Sequence, residues 1–280
     1  MSARAQRVPD GMTTPTDLPD TPGLALVTGA SSGIGRSLAK KLAEHGHDLI
    51  IAAENEDVHA TADALRSLGV GVSPVQADLA TPEGVEALYA EAVARPEPID
   101  ILALNAGIGV SGAFHESDLL DHLRLVDLNV RSTVHLAGLV IRDMVAHGSG
   151  RVLVTSSIAA VAPGPYHATY AASKAFGHSF AEGIREELKG TGVTVTSLMP
   201  GPTDTDFFAR ADMEDTKVAQ GKKDDPDDVA EDAYRALMAG RSSVVAGSIR
   251  NKVQAELATH LPDAAAAPIM AQQTKPQDPA

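Results

Sequence analysis

Residues 24–35, Leu-Ala-Leu-Val-Thr-Gly-Ala-Ser-Ser-Gly-Ile-Gly, hold two patterns in immediate succession. Leu24 to Val27 are continuously apolar, which is how a strand buried on both faces reads. From Thr28 the chain places glycines at 29, 33 and 35 and then passes into a helical pattern running from Gly33 to about His45. Glycines let a backbone turn tightly and approach a diphosphate, whose charge the N-terminal N–H groups of the following helix can meet. A strand, a glycine turn and a helix in that order predict a nucleotide-binding unit, although the spacing is not Gly-x-Gly-x-x-Gly.

Outward from this stretch, short apolar runs alternate with longer helical patterns. DLIIAA at 48–53, GVSPVQ at 71–76, DILAL at 100–104, RVLVTSS at 151–157 and GVTVTSLMPG at 192–201 read as strands, and SSVVAGS at 242–248 as a short last one. Helical patterns fill the gaps, including a long one from about Ser117 to Ala146. Buried strands separated by helices imply an α/β, doubly wound parallel sheet with helices on both faces. Residues 1–21 are polar and proline-rich and predict a disordered leader. Residues 22–250 predict one domain, with an aperiodic stretch at about 203–222 that suits a mobile lid. Residues 251–280 predict a C-terminal extension, loose from Leu261 onward.

The 280-residue chain carries a formal charge of −14 and no Lys/Arg-rich run, which opposes binding to nucleic acid or to anionic membrane surfaces. It has no cysteine, so a thiolate nucleophile, a disulfide framework and a thiolate metal site are all excluded. The start of the chain lacks the apolar core of a secretory signal, and no apolar run reaches membrane-spanning length. The expectation is a cytoplasmic protein without a metal. His45-x-His47 has no supporting carboxylates and reads as a pair of loop histidines.

Among four tyrosines, only Tyr170 has a lysine four positions on, Lys174. A helix there sets phenol and ammonium one turn apart on one face, where the cation can lower the phenol's pKa and make it a general acid or base.

The motifs taken together resemble the short-chain dehydrogenase/reductase family, of the compact type, over residues 23 to about 247. Carrying the resemblance are Thr28-Gly29-x-x-x-Gly33-x-Gly35, Asp78, Asn105-Ala106-Gly107, Asn129, Ser157, Tyr170, Lys174 and Pro200-Gly201. The family's serine lies thirteen residues before its tyrosine, which selects Ser157 over Ser156. Leu104 stands where the family usually has a first Asn, a departure expected to affect hydrogen bonding at the strand end. The resemblance implies a Rossmann-type fold and hydride transfer between a nicotinamide cofactor and a secondary alcohol or carbonyl compound. Tyr170 is then the proton-exchanging group, Ser157 holds the same substrate oxygen, Lys174 lowers the phenol's pKa and holds the nicotinamide ribose, and Asn129 anchors a water beside Lys174. The implied cofactor contacts extend to Ser31, Ser32, Ile34, Glu54, Leu79, Thr203 and Thr205. Either of the two threonines can hold the carboxamide. Asp78 accepts from the adenine amino group or, alternatively, caps a helix.

Glu54, at the end of the second strand, repels a 2′-phosphate and accepts from a free ribose diol, so NAD is favoured over NADP; the alternative is a solvent-facing Glu54 beside a helix-capping Asn55. Family resemblance also implies a homotetramer or dimer through the long helix and the Tyr170 helix. The competing reading is a dinucleotide-binding redox regulator without turnover, which has no need of the four catalytic residues. An epimerase acting on nucleotide sugars would bring a Gly-x-x-Gly-x-x-Gly turn and a larger C-terminal domain, and neither is present.

Overall fold

The computed structural model describes residues 22–248, 251, 253, 257 and 260–276. The expected leader lies outside these residues. Seven parallel strands form one sheet in the order β3-β2-β1-β4-β5-β6-β7: β1 Leu24–Thr28, β2 Asp48–Ala53, β3 Val72–Gln76, β4 Ile99–Leu104, β5 Gly150–Thr155, β6 Val193–Pro200 and β7 Ser243–Ala246. Leu26 is in register with Ile50 on one side and Leu102 on the other.

Both faces of the sheet are buried, as the continuous apolar runs require. Leu24, Leu26, Ile50, Leu102, Val152 and Val195 share one core with side chains of α3 (Pro82–Val93), α5 (Ser132–His147) and α6 (Ala168–Glu187). The alternate residues, among them Ala25, Val27, Ile51, Ala103 and Leu153, pack against α1 (Gly33–Glu44), α2 (Asp57–Arg66) and α9 (Pro226–Met238). Leu38 and Leu42 of α1 are fully buried, and burial of each contributes about 1.5–3 kcal/mol of transfer free energy.

Strand order reverses between β1 and β4, and a crevice opens there at their carboxyl ends, where doubly wound sheets bind ligands. Gly29 sits at φ +67°, a left-handed conformation, and a Cβ on it would come within 2.9 Å of Ala106 Cα. The chains leaving β1 and β4 are therefore in contact at the head of the crevice.

The long helical pattern expected from Ser117 to Ala146 is present but not uniform. Asp118 caps α4 (Leu119–Val126) by accepting from Leu120 N at 2.8 Å, and a π-helical turn over Asp127–Arg131 then leads into α5. Beyond β6, the aperiodic stretch forms two short helices, α7 (Phe207–Arg210) and α8 (Lys217–Gln220), around a small apolar core of Phe208, Ala211, Met213 and Ala219. Thr203 pairs with Asp224, so the two ends of this excursion are fastened together.

The sharpest departure is at the C-terminal end. Instead of a loose tail, the chain forms α10 (Asp263–Thr274), with Pro268 inside it. An internal proline removes a helical hydrogen bond and argues against a helix locally; tertiary contact overrides it. Thr274 Oγ1 donates to Pro165 O at 2.7 Å, and α10 packs on α8.

Candidate active site

One continuous cavity of about 1180 Å³ runs from the glycine turn, past Lys174 and Tyr170, to α10. Its volume exceeds the 300–1,000 Å³ usual for a single small ligand, so a dinucleotide and a second molecule fit together.

At the first end the walls are largely backbone. Gly29, Ser31, Ser32, Gly33, Ile34 and Gly35 line the cavity. A Cβ on Gly35 would meet Gly29 O at 2.2 Å and Asn105 Nδ2 at 2.4 Å. The N-terminus of α1 faces this space with neither a side-chain cap nor an acid in its first turn. Its partial positive charge is thus left for a ligand anion. Asn55 also lines the cavity, and its buried Oδ1 has no hydrogen-bond partner. An uncapped helix end and an orphaned acceptor on the walls of one crevice fit a nucleotide diphosphate with its ribose.

Asn105, Ala106, Gly107, Asp78, Leu79, Pro200, Gly201, Thr203 and Thr205 also line the cavity. Thr28 does not. The residue is 2% exposed, and its hydroxyl donates to Ala103 O and accepts from the N–H groups of Asn105 and Ala106, so it fastens β1 to β4 beneath the crevice. Asn105 braces the same junction, since Nδ2 donates to Thr28 O at 3.1 Å and Oδ1 accepts from Thr155 at 3.2 Å. Leu104 lies buried in the apolar core at the end of β4. Thr203 Oγ1 donates to Gly201 O, whereas Thr205 packs its methyl group near Gly33, within 2.9 Å of where a Cβ on that glycine would stand.

Glu54 and Asp78 are joined by a residue that sequence reasoning missed. Arg124, on α4, reaches Glu54 Oε1 at 3.0 Å and Asp78 Oδ2 at 3.0 Å. Burial alone would raise the Asp78 carboxyl, but hydrogen bonds from Arg124 and from Ala80 N hold it below its ordinary value. Asp78 is not the cap of α3; Thr81 is, accepting from Gly84 N. Nor does Asn55 cap α2, whose N-cap position is Glu56.

The expected acid–base residues converge at the middle of the cavity. Ser156 and Ser157 follow β5 directly and play different parts. Ser156 is 1% exposed and donates to Lys174 O at 2.7 Å, locking α6 against the strand. Ser157 Oγ accepts from Ala159 N at 3.1 Å and lies close enough to the Tyr170 phenol to oppose the rise of its pKa. Tyr170 and Lys174 lie one turn apart on α6, as their spacing implies.

Burial shifts both groups. Burial pushes the Tyr170 phenol up to about 12, and the Ser157 hydrogen bond only partly opposes it. Lys174 Nζ lies 5.7 Å from the ring centroid and donates to Thr155 O at 3.0 Å. Burial pulls Lys174 itself down to about 8. Two groups withdrawn from water each favour the neutral form.

Asn129 sits on the π-helical turn. Its Oδ1 accepts from Ile108 N and its Nδ2 donates to Ile108 O, both at 2.9 Å, and Nδ2 also reaches Ser173 Oγ at 3.0 Å. A Cβ on Gly107 would stand 3.2 Å from both Asn129 Oδ1 and Lys174 Nζ. Glycine at that position keeps a gap open between the two side chains.

The far end of the cavity is built from side chains. Phe207 of α7 approaches Tyr170, with centroids 5.1 Å apart. His167 lies 5% exposed on the cavity wall, with Nδ1 unpartnered; burial pulls the ring down to about 4, so it is neutral at pH 7. Tyr166 beside it adopts φ 62°, unusual for an aromatic residue, and its carbonyl accepts from Gly112 N at 2.8 Å. Leu261, Ile269 and Met270, in the segment expected to be loose, complete this wall.

A family profile described as short chain dehydrogenase matches residues 23–216. An uncharacterized oxidoreductase of Staphylococcus saprophyticus is 34% identical over 218 residues, 76% of this chain and 90% of its own. The chain belongs to the short chain dehydrogenase family and is an oxidoreductase of it. Among solved structures, a short-chain dehydrogenase from Sphingobium yanoikuyae in complex with NADPH is 28% identical, with a TM-score of 0.76 over 92% of this chain and 98% of its own. A 3-ketoacyl-(acyl-carrier-protein) reductase from Brucella melitensis, complexed with NADH, is 25% identical, with a TM-score of 0.73 over 80% of this chain and 96% of its own. Among the described residues, no helix is long and apolar enough to cross a membrane.

Proposed function

We propose that the enzyme moves a hydride between a nicotinamide dinucleotide and the carbon of a secondary alcohol or ketone, with Tyr170 exchanging the proton on the substrate oxygen. The observation that supports this is the meeting of Ser157, Tyr170 and Lys174 midway along a cavity that begins at an uncapped helix N-terminus. The dinucleotide, when bound, accepts or supplies the hydride. The remaining steps fall to the protein's own groups.

With its phenol near 12, Tyr170 carries its proton throughout the neutral range and is ready to donate it as a ketone is reduced. Ser157 Oγ holds the same oxygen and limits its approach. In the oxidative direction Tyr170 takes the alcohol proton only as it gives up its own. Lys174, near 8, is a group able to receive that proton once it is neutral, through the gap beside Gly107 where Asn129 Oδ1 can hold a water. Ser31, Ser32, Gly33 and Ile34 hold the diphosphate. Leu79 and Asp78 border the adenine, and Pro200, Gly201, Thr203 and Thr205 border the nicotinamide arm.

NAD is the preferred cofactor in this reading. Glu54, held by Arg124 at the cavity rim, and the unpartnered Asn55 Oδ1 both suit a free ribose diol rather than a 2′-phosphate. Association with further copies is supported by α4, where Leu119, Leu120 and Leu123 are 50–70% exposed. Recording nicotinamide absorbance while the chain is offered either dinucleotide with a panel of alcohols and ketones tests the reading. Tight dinucleotide binding with no turnover across the panel would instead favour a redox-reporting regulator.

A further inference from the structure

Beyond the Tyr170–Ser157 pair, the cavity changes character. Its far walls carry Phe207, Met213, Leu261, Ile269 and Met270, contributed by α7, the turn after it and the C-terminal segment, with Asn251 and Gln273 as the polar side chains beside them. Ile269 and Leu261 are 52% and 42% exposed, so apolar surface faces the opening itself. The cavity's lysines at this end, Lys217 and Lys222, are exposed on the lid, and Arg210 pairs with Asp206 on the same helix face. His167, its ring centroid 6.1 Å from that of Tyr170, is neutral and buried. The roof is fastened in place, with Thr274 bonded to the Pro165 carbonyl in the loop between Ser157 and Tyr170. With its cations out at the exposed rim, the inner part of this space offers few partners to a polyhydroxylated or anionic molecule, whose lost hydration would go largely uncompensated. It rewards a ligand that buries ring carbons.

We infer that the substrate is a bulky, uncharged, mainly apolar secondary alcohol or ketone of fused-ring size, roofed by α10 and with its oxygen at Tyr170 and Ser157. The inference rests on the reading of that pair as the proton-exchanging site. The C-terminal segment is then part of the substrate site, and Met270 and Ile269 read the size of the ligand.

The test compares cyclohexanone, 2-decalone and dihydroxyacetone with the full chain. Turnover is followed with NADH and NADPH, and binding by calorimetry in the presence of NAD, where no hydride is available to a ketone. About four additional buried ring carbons should raise kcat/KM for decalone about tenfold or more over cyclohexanone, with dihydroxyacetone the poorest. Met270→Glu should cut the decalone-to-cyclohexanone ratio about tenfold without changing NAD affinity, and Met270→Leu should keep the ratio. A flat series, a preference for dihydroxyacetone, or a ratio indifferent to Met270→Glu overturns the inference. Decalone binding with no ketone turned over by either dinucleotide would retain the apolar site and defeat the proton-exchange reading. Failure of decalone to bind or turn over, while a smaller ketone does, defeats only the substrate class.

Discussion

The two ends of the cavity are built by different means. At the glycine turn the walls are backbone: α1's N-terminus, Gly29 against Ala106, and Gly35 against Gly29 O. Under α10 they are side chains, brought from α7, Met213 beyond it and a helix far down the chain from Tyr170. A backbone-built site demands particular residue types at particular places, because only glycine allows the approach. A side-chain-built site demands only that something apolar fill the space. The first end is therefore suited to one invariant group, the dinucleotide, and the second to a partner chosen by size.

The largest effect that would break this division is at the junction between the ends. Tyr170→Phe should lower kcat by about 10²–10⁴-fold while leaving the dinucleotide dissociation constant within about twofold. Near-normal turnover in that variant removes the phenol from the mechanism. Gly35→Ala comes next: its Cβ would clash with Gly29 O and Asn105 Nδ2, so dinucleotide affinity should fall, together with about 1–3 kcal/mol of stability by chemical denaturation. An alanine tolerated there with full affinity would show that the turn is not backbone-limited.

A smaller change sharpens the cofactor end. Glu54→Gln removes the charge facing a 2′-phosphate and leaves Arg124 one acid short, so kcat/KM with NADP should rise about tenfold relative to NAD. An unchanged ratio would return Glu54 to a solvent role.

The smallest effect concerns Lys174. Its pKa is lowered to about 8 in the folded chain from 10.5, so between these values the unfolded chain binds more protons and stability from this group rises with pH. Relative to Lys174→Met, the wild-type chain should gain up to about 1.4 kcal/mol per pH unit across that window, read from urea unfolding at a series of pH values. Tyr170 acts in the opposite sense only above 10, where its raised folded pKa makes stability fall as pH climbs toward 12. A pH-independent gap between wild type and variant would mean that Lys174 is not desolvated.

Much of the first end is legible from order and spacing. The glycine turn after an apolar run, and serine, tyrosine and lysine at family spacing, are local patterns that survive folding unchanged. Thr28 belongs to the same motif yet turns away from the crevice, because spacing cannot tell a residue that lines a crevice from one that braces it. Arg124 escapes a sequence pattern altogether, since its acid partners come from two other elements, the ends of β2 and β3.

What the amino-acid order determined by itself was the alternation of strand and helix, the glycine turn and the one-turn distance between Tyr170 and Lys174, since each follows from backbone geometry over a few residues. Only the tertiary structure decided how far Tyr170 and Lys174 are withdrawn from water. It alone brought α10 over the cavity despite Pro268. Desolvation and packing depend on which distant segments arrive at a place, and no local pattern records that.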